Sequence, residues 1–267
     1  MRILVVGDTH ADITEMRYIF DLSKENQIDV IFQVGDFYYA PHTSEGIKFL
    51  SYTSYTATED VGIPVYFIDG NHENFDELWR SDLGVQQGSF LEILPNLSYV
   101  PRGTVWEWEG KRFAAMGGAA SLDKDWSLRQ EKLFDQPHTR WWPQETIKIE
   151  DVETLTKNLD NQSVDIMFSH DKPKLVSVTN NWRPFFTGYH FASDVNQEYL
   201  QTAADIAKPK ILLHGHFHHV YKSFIYRPTY ETTIYGLGCN GMRQNSWLIL
   251  DFQKDSEIKT SNNWIVD

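Results

Sequence analysis

Cysteine is almost absent from this sequence of 267 residues, since Cys239 is the only one. A single cysteine excludes an intrachain disulfide and favours a reducing compartment. Cys239 lies in GLGCNG, and this sequence lacks the pattern of a nucleophilic cysteine with a nearby base. We therefore interpret Cys239 as a buried thiol. Long apolar runs are also absent, because the run at residues 3–6 ends at Gly7 and none approaches about 18 residues. We therefore expect a cytoplasmic protein without a membrane partner.

Basic residues are scarce relative to acidic ones. The chain has 24 Lys and Arg against 37 Asp and Glu, which gives a formal net charge of -13 at pH 7. Proteins that coat nucleic acid or anionic membranes rely on clustered Lys and Arg, so this charge disfavours both functions. A nucleotide substrate stays compatible with it, because divalent cations would make a site locally positive. With 41% hydrophobic and 14% aromatic residues, the chain can form a sizeable core, and we expect one domain over residues 1–267.

Metal-ligand residue types follow several short apolar runs, and the run at residues 30–34 is central among them. It is typical of a buried strand and ends on Gly35-Asp36, which places a carboxylate at the mouth of a sheet. Other runs end in the same way with further candidate ligands: Asp8 and His10, Asn71 with His72, His170, and His214 with His216. We predict that Asp36 bridges two metal ions and that the other loops complete a hydrolytic site around it.

The pattern of these runs predicts an α/β fold. Strands at 3–6, 30–34 and 64–69 alternate with helices at 12–25 and 44–60, which is typical of a parallel sheet. Later residues predict a hairpin at 104–108 and 111–116, helices at 144–158 and 195–207, and strands at 164–168, 210–213, 220–226, 232–235 and 247–252. Two irregular insertions, at about 119–144 and 173–193, are expected near the site, because long stretches without periodicity are often functional.

The order and spacing of the motifs resemble those of the calcineurin-like metallophosphoesterases. The motifs are D-x-H, G-D, G-N-H-E, a lone His and G-H-x-H, and they span residues 8–216. The resemblance implies a four-layer αββα sandwich, with two mixed β-sheets inside and helices outside. It also implies a first divalent metal held by Asp8, His10, Asp36 and His216. The second metal would be held by Asp36, Asn71, His170 and His214.

The ligand types make chemical sense without the resemblance. Carboxylate, amide and imidazole donors without a thiolate suit Mn²⁺ first, with Fe, Zn²⁺ and Mg²⁺ as alternatives. A hydroxide that bridges the two ions is the expected nucleophile for in-line attack on phosphorus. We assign catalytic roles to Asp36, Asn71 and His72, and the resemblance implies that His72 protonates the leaving oxygen or contacts the phosphate. The alternative role of His72 is to order its loop.

Two departures from the family pattern narrow the function. Ser/Thr protein phosphatases carry G-D-x-x-D-R-G, whereas this chain has Tyr39 and Ala40 in place of the second Asp and the Arg. The resemblance therefore favours a phosphodiesterase that acts on a small phosphoester or a nucleotide. Residues 94–121 also resemble RNA lariat debranching enzymes, which carry a Cys in place of Asp8, and look closer to small bacterial and phage metallophosphoesterases. A nuclease, a phosphomonoesterase or protein phosphatase, and a non-catalytic scaffold are the alternatives.

Contacts to the substrate are predicted on the loops. The candidates for binding phosphate or stacking on a base are Arg102, Arg129, Lys172, Arg183, Trp141 and Trp142. Each cation has the alternative of a plain surface charge, and the tryptophans have the alternative of packing their loop onto the sandwich. His218 and His219 follow the ligand pair at the start of a strand, and we interpret them as structural. The alternative is that one of them contacts a ligand side chain without binding the metal itself.

Overall fold

Two mixed β-sheets face each other in the computed structural model of the protein, which describes residues 1–80, 89–135, 140–178, 191–252 and 259–260. One buried hydrophobic cluster lies between the sheets. Each sheet also packs against the helices outside it through one further cluster. This arrangement confirms the predicted four-layer sandwich. The extent of a single domain over residues 1–267 stays a prediction.

The first sheet has seven strands in the order β13-β12-β1-β2-β3-β5-β4. Its parallel centre consists of β1 (Arg2–Val6), β2 (Val30–Gln33), β3 (Val65–Phe67) and β5 (Leu97–Tyr99). Antiparallel strands flank it: β4 (Leu91–Leu94), β12 (Trp247–Asp251) and β13 (Lys259–Thr260). The prediction of parallel strands at the start of the chain is confirmed, whereas β4 and β5 were not predicted.

The second sheet has six strands in the order β10-β11-β9-β8-β7-β6. The strands are β6 (Val105–Trp108), β7 (Lys111–Met116), β8 (Ile166–Ser169), β9 (Ile211–His214), β10 (Tyr221–Arg227) and β11 (Tyr230–Gly236). The pairs β7–β8, β8–β9 and β9–β11 are parallel, and β6–β7 is the predicted antiparallel hairpin. Both sheets therefore present the carboxyl ends of parallel strands.

Helices cross over between the parallel strands. They are α1 (Ile13–Glu25), α2 (Ser44–Tyr55), α3 (Phe75–Leu78), α4 (Lys124–Phe134), α5 (Ile149–Leu159) and α6 (Phe191–Ala207). A π-helix at Thr56–Val61 extends α2, and 3-10 turns lie at Pro143–Glu145 and Arg243–Asn245. In the described part of the chain, no helix has both the length and the apolar character needed to cross a membrane.

The alternation of side chains along β1 shows how the layers are built. Ile3 and Val5 lie in the cluster between the sheets, while Leu4 and Val6 lie in the cluster under the helices. Successive strand residues point to opposite faces, so a strand that is apolar throughout serves both layers. Between the sheets, the rings of Phe32 and Phe168 stack with centroids 3.9 Å apart. This ring contact joins the two sheets directly behind the loops that follow β2 and β8.

The predicted irregular insertion at 119–144 is wrong in its middle, where α4 forms. The side of α4 that is buried carries Ser127 and Glu131, while Leu133 and Phe134 are exposed. Its apolar pattern is therefore inverted, and a search for an apolar buried stripe does not find it. The insertion predicted at 173–193 is described only to residue 178 and from residue 191, where α6 already begins.

The helix predicted from residue 144 begins instead at Ile149. The guanidinium of Arg102 donates hydrogen bonds to the carbonyl oxygens of Gln144, Glu145 and Thr146. An α-helix would need those carbonyl oxygens as acceptors for the N–H groups four residues further on. Arg102 therefore holds this segment outside the helix.

Candidate metal centre

Six side chains with metal-binding groups converge where five parallel strands end. Three sets of three donor groups lie with their atoms within 4.8 Å of one another. The sets are Asp8, His10 and His218; His10, Asp36 and His72; and Asp8, Asp36 and His170. The loops after β1, β2, β3, β8 and β9 therefore meet at one edge of the sandwich, as the sequence predicted for five motifs.

Asp36 lies at the centre of this cluster and is fully buried. Its Oδ1 accepts hydrogen bonds from the backbone N–H groups of Asn71 (2.8 Å) and His72 (2.9 Å). A Cβ added to Gly70 would lie 2.1 Å from the same oxygen, so only glycine permits this approach. The loop after β3 is thereby fixed on the carboxylate of the loop after β2.

The two oxygens of Asp36 face different histidines. Oδ2 lies 3.4 Å from Nε2 of His10 and 4.0 Å from Nε2 of His72, while Oδ1 lies 3.3 Å from Nε2 of His170. Burial alone would raise the pKa of Asp36, but the charges of His170 and His72 and the hydrogen bond from His10 hold it well below its usual value. Asp36 is therefore an ionised carboxylate placed between two groups of imidazoles.

Glu73 holds the backbone of the Asp36 loop from below. Its buried carboxyl group accepts hydrogen bonds from the N–H groups of Phe37 (2.9 Å), Tyr39 and Gly70 (3.4 Å). Burial and the nearby charge of Asp36 raise the pKa of Glu73 to about 8. The final Glu of the G-N-H-E motif thus has a structural task, which is to join the loops after β2 and β3.

The outer part of the cluster contains Asp8, His10 and His218. Oδ2 of Asp8 lies 3.0 Å from Nε2 of His218. Nδ1 of His10 lies 2.9 Å from Oδ1 of Asn240, and because an amide oxygen only accepts, Nδ1 carries the proton. In the absence of bound cations, burial lowers the pKa of His10, but hydrogen bonding to Asp36 and the charges of Asp36 and Asp8 together raise it to about 9. Nε2 of His10 is thereby directed at the centre of the site.

The inner part contains Asn71 and His170. Nδ1 of His170 donates to the carbonyl oxygen of Val34 (2.8 Å), which directs Nε2 toward Oδ1 of Asn71 at 3.3 Å. Nδ2 of Asn71 donates to Oγ of Ser121 (3.2 Å), so the amide oxygen is the atom that faces the site. Such partners of ligating side chains fix their orientation in metal sites.

Ser121 is itself held by Glu145. Its N–H donates to Oε1 of Glu145 (2.9 Å) and its hydroxyl donates to Oε2 (2.5 Å). The lone pairs of the hydroxyl oxygen are then left to accept from Asn71. Both Ser121 and Glu145 are buried, and burial raises the pKa of Glu145 to about 7 despite the hydrogen bonds from Ser121. The chain from Glu145 through Ser121 to Asn71 has one direction of hydrogen bonding when Glu145 is ionised.

The structure corrects the prediction that His214 is a ligand. His214 is the last residue of β9, and its Nδ1 donates to the carbonyl oxygen of Gly215 (2.9 Å). Its Nε2 therefore accepts from the hydroxyl of Tyr221 (2.7 Å), and both ring nitrogens are engaged away from the cluster. Burial lowers the pKa of His214 to about 3, which keeps the ring neutral. His218, interpreted from the sequence as structural, lies in the cluster instead.

His216 lies beside the inner part of the cluster. Its ring is 5.1 Å from that of His170, and its backbone N–H donates to Asp8. A Cβ on Gly215 would lie 2.0 Å from Oδ1 of Asp8, which explains why glycine precedes His216. Nε2 of His216 is buried and has no hydrogen-bond partner among the described residues. An orphaned buried imidazole nitrogen beside ionised carboxylates fits a bound divalent cation.

His72 occupies the solvent side of the site. Its imidazole side chain is 32% exposed, and its ring centroid lies 5.8 Å from that of His10. With Nε2 4.0 Å from Asp36, His72 is near the reaction centre yet reachable from outside. This placement suits a group that exchanges a proton with a bound molecule.

Among the predicted substrate contacts, Arg102 lies where its guanidinium cannot reach a bound substrate. Its side chain is 2% exposed, with Nε and Nη2 donating to Oδ2 of Asp69 at 2.8 and 2.6 Å. Nη1 donates to Oδ2 of Asp151 (3.2 Å), and the remaining contacts go to the carbonyl oxygens of residues 144–146. Arg102 is a buried structural link, which corrects its prediction as a phosphate ligand.

The other predicted contacts lie in different surroundings. Lys172 is buried and donates to Oε1 of Gln197 at 3.0 Å, so its ammonium faces α6. Trp142 is buried and donates from Nε1 to Asp76, and Trp141 lies under the ammonium of Lys124. Arg129 is exposed on α4, and Arg183 lies outside the described residues. The sequence did not predict that Arg140, His42 and Trp126 line a cleft with His72.

The sequence matches the family model described as calcineurin-like phosphoesterase over residues 1–220. The chain therefore belongs to this family, and the protein is a metal-dependent hydrolase of phosphoric esters. No protein among the curated ones matches it.

Solved structures are similar to this chain at low sequence identity. TT1561 of Thermus thermophilus is 14% identical, with a TM-score of 0.55 over 98% of each chain. A further similar structure is the phosphoesterase Yfce from E. coli, at 11% identity and a TM-score of 0.40 over 94% of this chain and 88% of that chain. An archaeal phosphodiesterase is 11% identical, with a TM-score of 0.39 over 97% of this chain and 99% of that chain. Only the first likeness, above 0.5, bears on the fold.

Proposed function

We propose that the protein is a phosphodiesterase that uses two divalent cations with Asp36 shared between them. The observation that carries the proposal is the setting of the Asp36 carboxylate, whose Oδ2 faces His10 and whose Oδ1 faces His170. A carboxylate with a different imidazole opposite each oxygen is arranged to bridge two ions. Asp8 and His218 complete the outer group, and Asn71 and His216 complete the inner group.

Manganese is the proposed metal. The donor set contains carboxylates, imidazoles and one amide, without a thiolate, and such sets suit Mn²⁺. When bound, the cations supply Lewis acidity that activates water near neutral pH and offsets charge on the phosphoryl oxygens. The cytoplasm, where disulfides are not formed, is the proposed location, in keeping with the single Cys239.

The protein's own residues orient the donors and handle the proton. Asn240 and the carbonyl oxygen of Val34 fix the rings of His10 and His170 before any ligand arrives. His72, at the solvent side, gives a proton to the leaving oxygen of the ester and so avoids expulsion of an alkoxide. Its backbone N–H donates to Asp36, which holds the residue beside the centre in a fixed position.

A small diester is the proposed substrate rather than a phosphoprotein. Tyr39 and Ala40 stand where protein phosphatases carry an Asp and an Arg, and both are buried. The interior position of Arg102 removes another cation that the sequence had suggested for the phosphate. A diester carries one negative charge on its phosphoryl group, so it needs fewer cationic side chains than a monoester. The net charge of -13 opposes long nucleic acids as substrates.

Hydrolysis of bis-p-nitrophenyl phosphate tests this function. Turnover is expected with Mn²⁺, loss of turnover with EDTA, and recovery when Mn²⁺ is restored. Asp36→Asn should abolish activity, while His72→Asn should lower kcat by roughly 10²- to 10⁴-fold with Mn²⁺ content unchanged. Activity that survives both EDTA and Asp36→Asn would refute the proposal.

A further inference from the structure

A cleft opens beside His72 on the solvent side of the candidate metal centre. Its walls come from the loop after β2, the start of α3 and the α4 region. The residues that decide its chemistry are Tyr38, His42, His72, Asp123, Trp126 and Arg140. Because His72 is shared by the cleft and the reaction centre, whatever the cleft holds lies next to the group proposed to protonate the leaving oxygen.

The aromatic wall of the cleft contains one exposed tryptophan side chain. Trp126 on α4 is 49% exposed, and the guanidinium carbon of Arg140 lies 5.7 Å from its ring centroid. Trp142, also in the wall, is 3% exposed and is fixed by its hydrogen bond to Asp76 (3.2 Å). Tyr38 is half-buried across the cleft. A flat ring can therefore stack on Trp126 while Trp142 keeps the wall rigid.

The hydrogen-bond donors of the cleft are defined by their partners. Oδ1 of Asn74 accepts from the N–H of Glu77 (3.2 Å), so the amide nitrogen of Asn74 donates to Nδ1 of His42 (2.6 Å). Because Nδ1 of His42 accepts, Nε2 is the ring nitrogen that can donate, and it has no acceptor among the described residues. The guanidinium of Arg140 makes no ion pair with any residue that the structure describes, while its backbone N–H is anchored on Glu131 (2.7 Å).

Asp123 decides against a second phosphate in the cleft. Its carboxylate lies in the lining and accepts from the hydroxyl of Ser127 (3.3 Å). A doubly charged phosphate next to this carboxylate would be repelled, whereas the hydroxyl groups of a sugar could donate to it. An aromatic face, two N–H donors and a carboxylate together match a neutral base attached to a sugar.

We propose that this cleft binds the leaving group of the ester and that the leaving group is a nucleoside. The inference rests on the proposed phosphodiesterase function and adds the class of alcohol that is released. The base stacks on Trp126, Arg140 and His42 donate to its ring atoms, and Asp123 accepts from the sugar. His72 then protonates the sugar oxygen as the bond from that oxygen to phosphorus breaks.

Two esters and two variants test the inference with the full Mn²⁺-loaded protein. One ester is a dinucleoside monophosphate, and the other is glycerophosphoethanolamine, whose alcohols have no ring. Trp126→Ala should lower kcat/KM for the dinucleoside by roughly 10-fold or more, because stacking on one aromatic is worth about that factor. Arg140→Ala should lower it by roughly 10-fold as well, because it removes a charged hydrogen-bond donor to the base. Both should leave glycerophosphoethanolamine within about 2-fold of the parent protein. Trp126→Phe, which keeps a flat ring, should restore most of the loss.

Leu133→Ala is the matched control, since Leu133 is exposed on α4 and does not line the cleft. It should leave the turnover of both esters unchanged. An equal loss on both esters in Trp126→Ala, or no loss on either, would overturn the nucleoside cleft while leaving the phosphodiesterase proposal standing.

A binding experiment separates the two proposals if no ester is turned over. Equilibrium dialysis of adenosine against the metal-free protein should show binding that Trp126→Ala and Arg140→Ala weaken and that Leu133→Ala does not. Such binding without turnover would refute the phosphodiesterase but support the cleft. Absence of adenosine binding to the parent protein would refute the cleft, whatever the turnover.

Discussion

Several residues around the candidate metal centre adopt backbone conformations that residues other than glycine normally avoid. His10, Ala11, Asp36, His216 and His218 all have positive φ, between 44° and 67°. Each such residue costs on the order of 1–3 kcal/mol and persists only where the surroundings enforce it. In this protein the enforcing contacts are the buried hydrogen bonds to Asp36, Asp8 and Glu73 described above. Four of these five residues, all except Ala11, carry proposed donor atoms.

Separate substitutions of His218 and His214 test the ligand set directly. His218→Gln should weaken Mn²⁺ binding by at least 10- to 100-fold, because its imidazole faces Asp8 at 3.0 Å. His214→Gln should change Mn²⁺ binding by only a few-fold, because both nitrogens of His214 bond to other groups. Isothermal titration of the metal-free proteins measures both. The opposite ranking would restore the assignment made from the sequence.

Removal of the Ser121 hydroxyl should release the amide of Asn71. Ser121→Ala is expected to weaken Mn²⁺ binding by roughly 10-fold, the range found when a partner of a ligating group is lost. Ser121→Thr keeps a hydroxyl and should retain most of the affinity. Ser127→Ala, which removes a buried hydroxyl on α4, is the control and should have no effect on the metal. If Ser121→Ala, Ser121→Thr and Ser127→Ala bound Mn²⁺ with equal affinity at pH 8, this would show that Ser121 does not orient Asn71.

At this scale the sequence predicted a residue well when its signal was local. Asp36 follows a Gly at the end of an apolar run, and this pattern alone located it at the end of β2. The histidines after β9 were misassigned, because G-H-x-H was taken to begin at His214 although its letters fit residues 215–218. Strand alternation supplies the missing signal: Leu212 lies in the cluster under the helices, so His214, two residues on, shares that outer face with Tyr221.

Among the elements, Arg102 joins three that are distant in sequence. It ties Asp69 after β3 to the 144–146 carbonyl oxygens and to Asp151 in the first turn of α5. Tyr99 on β5 donates to the other oxygen of Asp69 (2.7 Å). Through this link, the segment that carries Glu145 is held against the sheet that carries Asn71. The position of Ser121 therefore depends on an arginine that never meets solvent.

Arg102→Ala should lower the free energy of unfolding by about 3–5 kcal/mol, since it leaves Asp69 as an unpaired buried charge. Urea denaturation of the metal-free protein measures the change. Arg129→Ala, at an exposed position on α4, should stay within about 0.5 kcal/mol of the parent. A similarly small effect for Arg102→Ala would contradict the structural role assigned to the buried guanidinium.

Elements with regular apolar periods were predicted close to their observed bounds, and those shaped by polar contacts were not. The helix predicted at 12–25 is observed at Ile13–Glu25, where Asp12 caps it through the N–H groups of Thr14 and Glu15. By contrast, α4 buries Glu131, whose carboxylate accepts the N–H groups of Arg140 and Trp141. A polar buried face of this kind depends on long-range partners that local patterns do not reveal.

For the whole molecule, bound cations should raise stability. Without them the centre places Asp8 and Asp36 together in the interior beside neutral His216. A ligand that binds only the folded state stabilises it by about 2.7 kcal/mol at a free concentration 100 times Kd. For a chain of this length, that corresponds to a rise in Tm of roughly 5–10 °C with Mn²⁺.

Calorimetry with Mn²⁺ and with EDTA tests this expectation, and Asp36→Asn serves as the control. The variant should lose most of the Mn²⁺-dependent shift, because the shared carboxylate is gone. Equal Tm values for the parent protein with and without Mn²⁺ would show that these groups do not form a cation site in the folded state.

The arrival of β12 beside β1 has a consequence for synthesis of the chain. Every proposed ligand lies between Asp8 and His218, yet Asn240 fixes His10 through its amide oxygen and donates from its N–H to the carbonyl oxygen of Asp8 (2.7 Å). β1 also keeps one edge unpaired until residues 247–251 emerge from the ribosome. A nascent chain that already contains every donor atom therefore still lacks Asn240, which orients His10 and Asp8. We expect the protein to bind its metal only when β12 has paired with β1.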